Sequence, residues 1–318
     1  MNQKKTIKVA AAQISSVTFN AMETARKVCD TIQKAAAEGA KLILFPEATI
    51  SGYPWGIAFG VSVGRRSMEG RAAYTKYWDG SITVPGPETD IIGKTAKESN
   101  VYVAIGVMER DDAFSQHTMF CTLVYFGPDG SIIGKHRKLK PTAAERYVWG
   151  EGDGSTLPAL DTEIGRIGGL ICWENYHPLA RYAMYGKGLD IYLAPTCDSR
   201  DTWAKTMVHI ACESRCFVIS ACQYFEQAHY PSDLETIHEL EGLPDILSRG
   251  GSMIVSPMGD ILAGPLYNVE GTVYANIDLA ECVKGRFDFD VVGHYACDAI
   301  FNLEVDERPR RVVQYKND

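Results

Sequence analysis

Residues Ile7-Lys8-Val9-Ala10-Ala11-Ala12-Gln13 have the length and apolar content of a strand. After a short polar stretch, Met22, Ala25, Val28, Cys29, Ile32, Ala35 and Ala36 recur at spacings that place them on one helical face. Gly39 stands where a left-handed C-cap would end that helix, and Lys41-Leu42-Ile43-Leu44-Phe45 then reads as a short buried strand stopped by Pro46. Together these predict a β-α-β unit. Further strands are predicted over 101–108 and 121–126, the second running through Gly127-Pro128-Asp129-Gly130 into Ile132-Ile133 as a hairpin. Farther on, 167–172 reads as a strand, 179–185 as a short helix and 189–194 as a strand. Trp203, Met207, Ile210 and Ala211 then share one helical face ahead of a strand over 217–221.

Two stretches lack a strong core pattern and read as surface excursions: 62–80, rich in Arg and Tyr, and 223–250, polar with Pro231 and Pro244. Strands recur across every plausible boundary, without repeat or low-complexity linker, so the pattern favours one α/β domain over 1–305 and a peripheral polar tail over 306–318, with its Arg308-Pro309-Arg310-Arg311 run.

Composition narrows the function classes. The 318 residues are 46% hydrophobic and 23% charged, as in soluble globular domains. Apolar runs such as 101–108 and 167–173 fall far short of the ~18–20 residues of a membrane span. The N-terminal apolar segment is broken at Lys8 and Gln13 and does not read as a secretory signal, so a cytoplasmic location is expected. A net charge of -8 weighs against nucleic acid or anionic membrane as partner, the basic run 135–140 being the exception. Nine cysteines scattered over a long chain are expected to be free thiols.

Cys172 sits where an apolar strand gives way to polar residues and a helix start, a position from which a nucleophile can project beside free backbone N–H groups. A buried structural cysteine would occupy the same place. Glu47 ends a predicted strand, at the edge where α/β sites are built, and is a candidate general base or simply a capping glutamate. The run Lys135-His136-Arg137-Lys138-Leu139-Lys140 would ordinarily be a solvated face, but Glu145 could pair with and orient one of its lysines. The glycines of 149–154 do not match a phosphate loop. Cys212, Cys216 and Cys222 lack the spacing of a zinc site, so no metal ligand is assigned. His136, His177 and His294 have no evident partner in the sequence, which leaves no His-dependent triad.

Phe45-Pro46-Glu47, Arg137-Lys138-Leu139 and Cys172-Trp173-Glu174, in that order, resemble the Glu-Lys-Cys signature of the nitrilase superfamily of carbon-nitrogen hydrolases. The resemblance extends over nearly the whole chain. It narrows to the nitrilase branch through Lys138-Leu139-Lys140-Pro141-Thr142, Glu145-Arg146, the segment 149–155 and Ile171-Cys172-Trp173-Glu174-Asn175. Ser51-Gly52-Tyr53-Pro54, Ala194-Pro195-Thr196 and the segment 217–223 are similar to plant-type nitrilases and their bacterial relatives.

The resemblance implies a four-layer α-β-β-α sandwich, no metal or organic cofactor, and homodimers that assemble further into helical oligomers. It implies hydrolysis of a small-molecule nitrile to acid and ammonia through a thioimidate and an acyl thioester, with some amide by-product. Cys172 would be the nucleophile, Glu47 the base, Lys138 the electrostatic stabiliser and Glu145 its positioner. Tyr53, Trp55, Trp149, Trp173, Tyr176 and Thr196 are candidates to line the substrate pocket, the aromatics favouring an arylaliphatic or medium aliphatic nitrile. One departure stands out: relatives carry Arg-Pro in the segment that here reads His294-Tyr295-Ala296-Cys297-Asp298-Ala299, so no role is transferred to that arginine. The alternatives are an amidase or carbamoylase with the same triad, a non-catalytic filament-forming scaffold and, last, a cysteine peptidase.

Overall fold

The computed structural model describes residues 6–112, 115–310 and 313. In chain order its main elements are β1 (Thr6–Gln13), α1 (Ala21–Ala37), β2 (Leu42–Leu44), α2 (Met68–Asp79), α3 (Pro87–Ser99), β3 (Tyr102–Arg110), β4 (Met119–Phe126) and β5 (Ile132–Arg137). There follow β6 (Leu160–Thr162), β7 (Gly165–Gly169), α4 (Pro178–Gly186), β8 (Ile191–Leu193), α5 (Asp201–Ser214), β9 (Phe217–Ser220) and β10 (Tyr224–Glu226). The last are β11 (Ile246–Val255), β12 (Ile261–Tyr267), β13 (Gly271–Asp278) and α6 (Ala280–Arg286).

The strands form two mixed sheets. One has six strands in the order β13-β1-β2-β3-β4-β5; the other has seven, in the order β10-β11-β9-β8-β7-β6 with β12 on β11. Side-chain alternation explains the layering. Val9 and Ala11 of β1, Leu42 and Leu44 of β2, and Ile191 and Leu193 of β8 fill the core between the sheets. Their neighbours point the other way: Ala10, Ala12 and Ile43 pack under Ala25, Val28 and Ile32 of α1, and Tyr192 and Val218 pack under Trp203, Met207 and Ile210 of α5. Because both faces are covered, these strands read as continuous apolar runs. The result is the expected α-β-β-α sandwich.

The helix boundaries follow local chemistry. The Asn20 side chain caps α1 at the Glu23 N–H, and Gly39 takes φ +88° just past its end, as expected of that glycine. The predicted strand 167–172 is shorter than expected: β7 stops at Gly169, because Cys172 turns into the left-handed region at φ +52° and opens a single 3-10 turn.

The two stretches read as surface excursions are corrected. The first contains α2, whose Ala73 and Tyr77 are fully buried, and the second contains β10 and buries Phe225, Tyr230, Leu234 and Leu240. Tyr77 and Tyr230 pack on Phe19, so aromatic contacts anchor segments whose own periodicity is weak. Of the tail, Arg310 donates its N–H to Asp153 at 2.7 Å, so that part lies along the 153–154 loop; Arg311 is outside the described residues. Among the described residues no helix is long and apolar enough to cross a membrane.

One close backbone approach bears on the site. A Cβ at Gly106 would lie 2.4 Å from Pro46 O and 2.7 Å from Glu47 Cα. Gly106→Ala is therefore expected to lower stability by about 1–3 kcal/mol and to displace Glu47. A thermal melt and a turnover assay both matching wild type would refute this.

Candidate active site

Each candidate residue follows the end of a core strand. Glu47 lies beyond β2, where Phe45 donates its N–H to Ala104 O and the Thr49 hydroxyl closes a turn onto Pro46 O. Lys138 follows β5 and donates its N–H to Cys121 O, while Gly152 donates to Lys138 O. Cys172 lies beyond β7, its N–H donated to Pro195 O at 2.8 Å. The Asn175 side chain donates to Leu170 O and Cys172 O, bracing the strained turn from behind.

These strand ends converge. The Lys138 ammonium donates to Glu47 Oε1 at 2.6 Å and to Glu145 Oε2 at 2.8 Å, and all three side chains are almost fully buried. Cys172 lies close enough to the Glu47 carboxylate for the two to interact electrostatically, and the Thr196 hydroxyl donates to the Cys172 Sγ at 3.2 Å. Glu145 also accepts the Thr142 N–H at 2.5 Å and the Tyr53 hydroxyl at 2.7 Å. The expected pairing of Glu145 with a lysine is present, and its partner is Lys138.

Burial sets the electrostatics. It pushes the Glu47 carboxyl above the usual glutamate range, against the pull of the Lys138 charge, with Glu145 adding to the rise. Burial also raises the Cys172 thiol well above its ordinary value, helped by Glu47 and opposed by Lys138. For Lys138 burial acts against the charge, but Glu47, Cys172 and Glu145 overcome it and hold the ammonium well above the usual lysine range. The resting arrangement is thus a thiol beside a base, with a fixed positive charge at hand. A thiol of this kind becomes a nucleophile only as its proton moves to the base.

The remaining candidates fall into two groups. Tyr53 touches Glu145 and packs on Trp55 (ring centroids 4.8 Å apart) and edge-on against Trp149 (5.5 Å). Trp149 lies 5.6 Å beneath the Lys138 ammonium. Thr196 sits on the sulfur. Trp173 and Tyr176, by contrast, are half-exposed: the Trp173 indole donates to Asp198 at 2.9 Å under the Arg200 guanidinium, and Tyr176 packs edge-on against Trp203.

Tyr53→Phe leaves Glu145 one hydrogen bond short. It is expected to lower kcat by roughly ten-fold with KM nearly unchanged, the loss of a charge-assisted bond being worth about 1.5–3 kcal/mol. Steady-state kinetics in which only KM moved would show that Tyr53 acts on binding alone.

Several contributors were not apparent from sequence. The Cys197 N–H donates to Glu47 Oε2 at 3.0 Å, the Gln223 amide donates to Glu47 O at 3.0 Å, and the Cys121 thiol faces Glu47 Oε1 at 3.6 Å. Cys197 directly follows the Ala194-Pro195-Thr196 segment, so its place at a strand end was the available signal. His136, which the sequence left without a partner, is buried against Glu174 at 3.0 Å. All nine cysteines are free; Cys216 and Cys222 are buried among their own neighbours, and no metal-holding group is found among the described residues.

Comparison with known proteins agrees with this architecture. The carbon-nitrogen hydrolase family model matches residues 8–287. The chain is 47% identical to a nitrilase of Bradyrhizobium diazoefficiens (98% of this chain, 96% of that one) and 48% identical to an aliphatic nitrilase of Sinorhizobium fredii (96% and 97%). It is 46% identical to a bifunctional nitrilase/nitrile hydratase of Lupinus angustifolius (98% and 89%). Among solved structures it resembles Nit3 of Saccharomyces cerevisiae, with TM-score 0.69 at 20% identity over 91% of this chain and 96% of that one. The C. elegans NitFhit protein is similar with TM-score 0.73 at 18% identity, over 96% and 69%. With a family model spanning both sheets and nitrilases of 46–48% identity along nearly its whole length, the chain belongs to the carbon-nitrogen hydrolase family, in its nitrilase branch.

Proposed function

We propose that the protein hydrolyses an organic nitrile to the carboxylic acid and ammonia, with Cys172 as nucleophile, Glu47 as general base, Lys138 as electrostatic stabiliser and Glu145 as its positioner. The observation that carries this reading is the buried Glu47–Lys138–Glu145 bridge beside the Cys172 turn, at 2.6 and 2.8 Å. The relatives named as nitrilases support a nitrile over an amide as substrate.

A nitrile carbon is a weak electrophile, so the attack needs a developing thiolate and a proton for the nitrogen. Glu47 takes the thiol proton as the C–S bond forms, and the nitrogen is protonated from the Glu47–Lys138 pair to give the thioimidate. Water then adds, its proton passing to Glu47, and the tetrahedral intermediate expels ammonia when the nitrogen is protonated. The acyl thioester left behind is cleaved by a second water, which returns the thiol. If the C–S bond breaks first, the amide leaves instead. The Lupinus relative, named as both nitrilase and nitrile hydratase, supports such a branch. Lys138 offsets the negative charge that builds in each tetrahedral species, and the Trp173 N–H at the start of the 3-10 turn adds a donor.

In the same reading Tyr53, Trp55, Trp149 and Thr196 line the pocket, Trp173 and Tyr176 stand at its outer rim, and residues 1–305 act as one hydrolase domain with 306–318 as a tail. Self-association as homodimers and larger helical oligomers is supported by exposed Phe287, Ile300 and Phe301, apolar side chains clustered late in the chain. The test is ammonia release from phenylacetonitrile, an aliphatic dinitrile, β-cyanoalanine and phenylacetamide. Nitrile turnover exceeding that of the matched amide is expected; turnover of the amide alone would move the protein to the amidases.

A further inference from the structure

Glu174 takes no part in the steps above, yet its carboxylate is buried and fully engaged. Oε1 accepts the Leu139 N–H at 2.6 Å, and Oε2 accepts the Ile171 N–H at 2.7 Å. The His136 Nε2 lies 3.2 and 3.0 Å from the two oxygens, while Nδ1 of the same ring faces Thr156 O at 3.1 Å, which fixes the imidazole plane. The two backbone donors are the residue after Lys138 and the residue before Cys172. They belong to different sheets, Lys138 following β5 of the first and Cys172 following β7 of the second.

The backbone N–H groups of these two residues bond on their own side of the sandwich: Lys138 N–H to Cys121 O, and Cys172 N–H to Pro195 O. Glu174 is therefore a short cross-sheet tie between the backbone that carries the ammonium and the backbone that carries the sulfur. Burial opposes its charge, but His136 and the two N–H groups outweigh that and hold its carboxyl below the usual glutamate range. It is a carboxylate clamp in which both oxygens accept a backbone N–H and share the imidazole.

We propose that Glu174, oriented by His136, is a positioning residue that sets the spacing of Lys138 from Cys172 and thereby the reactivity of the thiol and the partition between acid and amide. The product-ratio part rests on the nitrile-hydrolase reading; the thiol part does not. Acid release requires the intermediate's nitrogen to leave protonated while sulfur stays bound, so a Lys138 drawn away from the sulfur favours C–S cleavage and the amide. The groups that face Cys172 and set its protonation are Glu47, Lys138, Glu145 and the Thr196 hydroxyl, and loosening the clamp, which holds the backbone beside both Lys138 and Cys172, is expected to draw the ammonium away from the sulfur.

Wild type, Glu174→Gln, His136→Ala and His136→Gln are compared, with circular dichroism to verify the fold. The first readout is substrate-free: the rate at which iodoacetamide alkylates Cys172, followed by mass spectrometry of its peptide between about pH 7 and 9, below the raised titration of the thiol. In Glu174→Gln an amide NH2 faces one of the backbone donors, and the alkylation rate at each pH is expected to fall by roughly ten-fold, because the thiolate loses part of its counter-charge. On phenylacetonitrile, kcat is expected to fall by about 10- to 100-fold with a larger amide share and a much smaller change in KM. His136→Ala shifts both readouts in the same direction, and His136→Gln, which keeps a donor toward Glu174, restores part of the loss.

A folded Glu174→Gln with wild-type alkylation and product ratio overturns the proposal. Should that variant fail to fold, a folded His136→Ala with the wild-type alkylation profile does the same. Failure of the nitrile reading is distinguishable: wild type would turn over only the amide, and the alkylation profiles would still decide the role of Glu174.

Discussion

Cys172→Ala is expected to abolish nitrile turnover, by roughly 10⁴-fold or more, while the protein melts close to the wild-type temperature. The size of the effect follows from covalent catalysis: without sulfur no thioimidate forms, and Glu47 and Lys138 are left beside a methyl group. Alanine is the informative choice because it keeps a Cβ at the left-handed backbone position, φ +52°. Whatever strain the turn carries is the same in both proteins, and the Asn175 brace and the Pro195 bond engage only the backbone atoms of Cys172. Ammonia release measured alongside circular dichroism decides the matter. Turnover surviving in a folded Cys172→Ala would remove Cys172 from the mechanism and revive a structural role for this thiol.

The second large effect is expected for Lys138→Met, in both activity and stability. Losing the ammonium removes the positive charge offered to each tetrahedral intermediate, which alone costs roughly 10²–10³-fold in kcat. It also leaves Glu47 and Glu145 buried side by side without their shared partner, a change that typically destabilises by about 3–5 kcal/mol when the groups stay charged. Glu47 escapes part of that cost by taking up a proton, and the sign of the pH dependence follows. Glu47 already lies above the usual glutamate range in the native protein, and removing Lys138 raises it further. The folded variant then holds more protons than its unfolded chain, so its stability falls as pH rises. The gap in melting temperature between variant and wild type is expected to widen from about pH 5 to pH 8. Parallel melting curves across that range would mean that the Glu47 carboxylate does not depend on Lys138 for its charge.

Much of the site was visible before any coordinates. Glu47 and Cys172 each follow a short apolar run that ends in a polar break, and such runs identify strand ends by local pattern, whereas Lys138 lies in a basic run and was singled out by the resemblance of the three motifs. Burial on both faces made β1, β2, β8 and β9 readable as strands, and Trp203, Met207, Ile210 and Ala211 showed the buried face of α5 correctly. The failures share a cause. Helix α2 and the segment after β10 are held by scattered aromatics such as Tyr77 and Tyr230, whose partners, Phe19 among them, lie far away in sequence. Strand β7 ended early because the turn at Cys172 is imposed by Asn175 and Pro195 O, neither of which leaves a periodic signal in the strand itself.

The sequence by itself determined most strands and helices, through the length and periodicity of its apolar runs, and its motifs implied by resemblance the layer order and the proposed chemistry of one carboxylate, one lysine and one thiol. Only the tertiary structure decided how those groups meet. The Lys138–Glu47 contact spans 91 residues and depends on the strand order of the first sheet, whereas the His136–Glu174 contact spans 38 and depends on how the two sheets pack face to face. Propensity and periodicity act over a few residues, whereas the register of one sheet on another is set by the packing of the shared core. That is why the proposed reacting groups could be named along the chain, and why Cys197, Gln223 and the Glu174 clamp came into view only once the two sheets were in place.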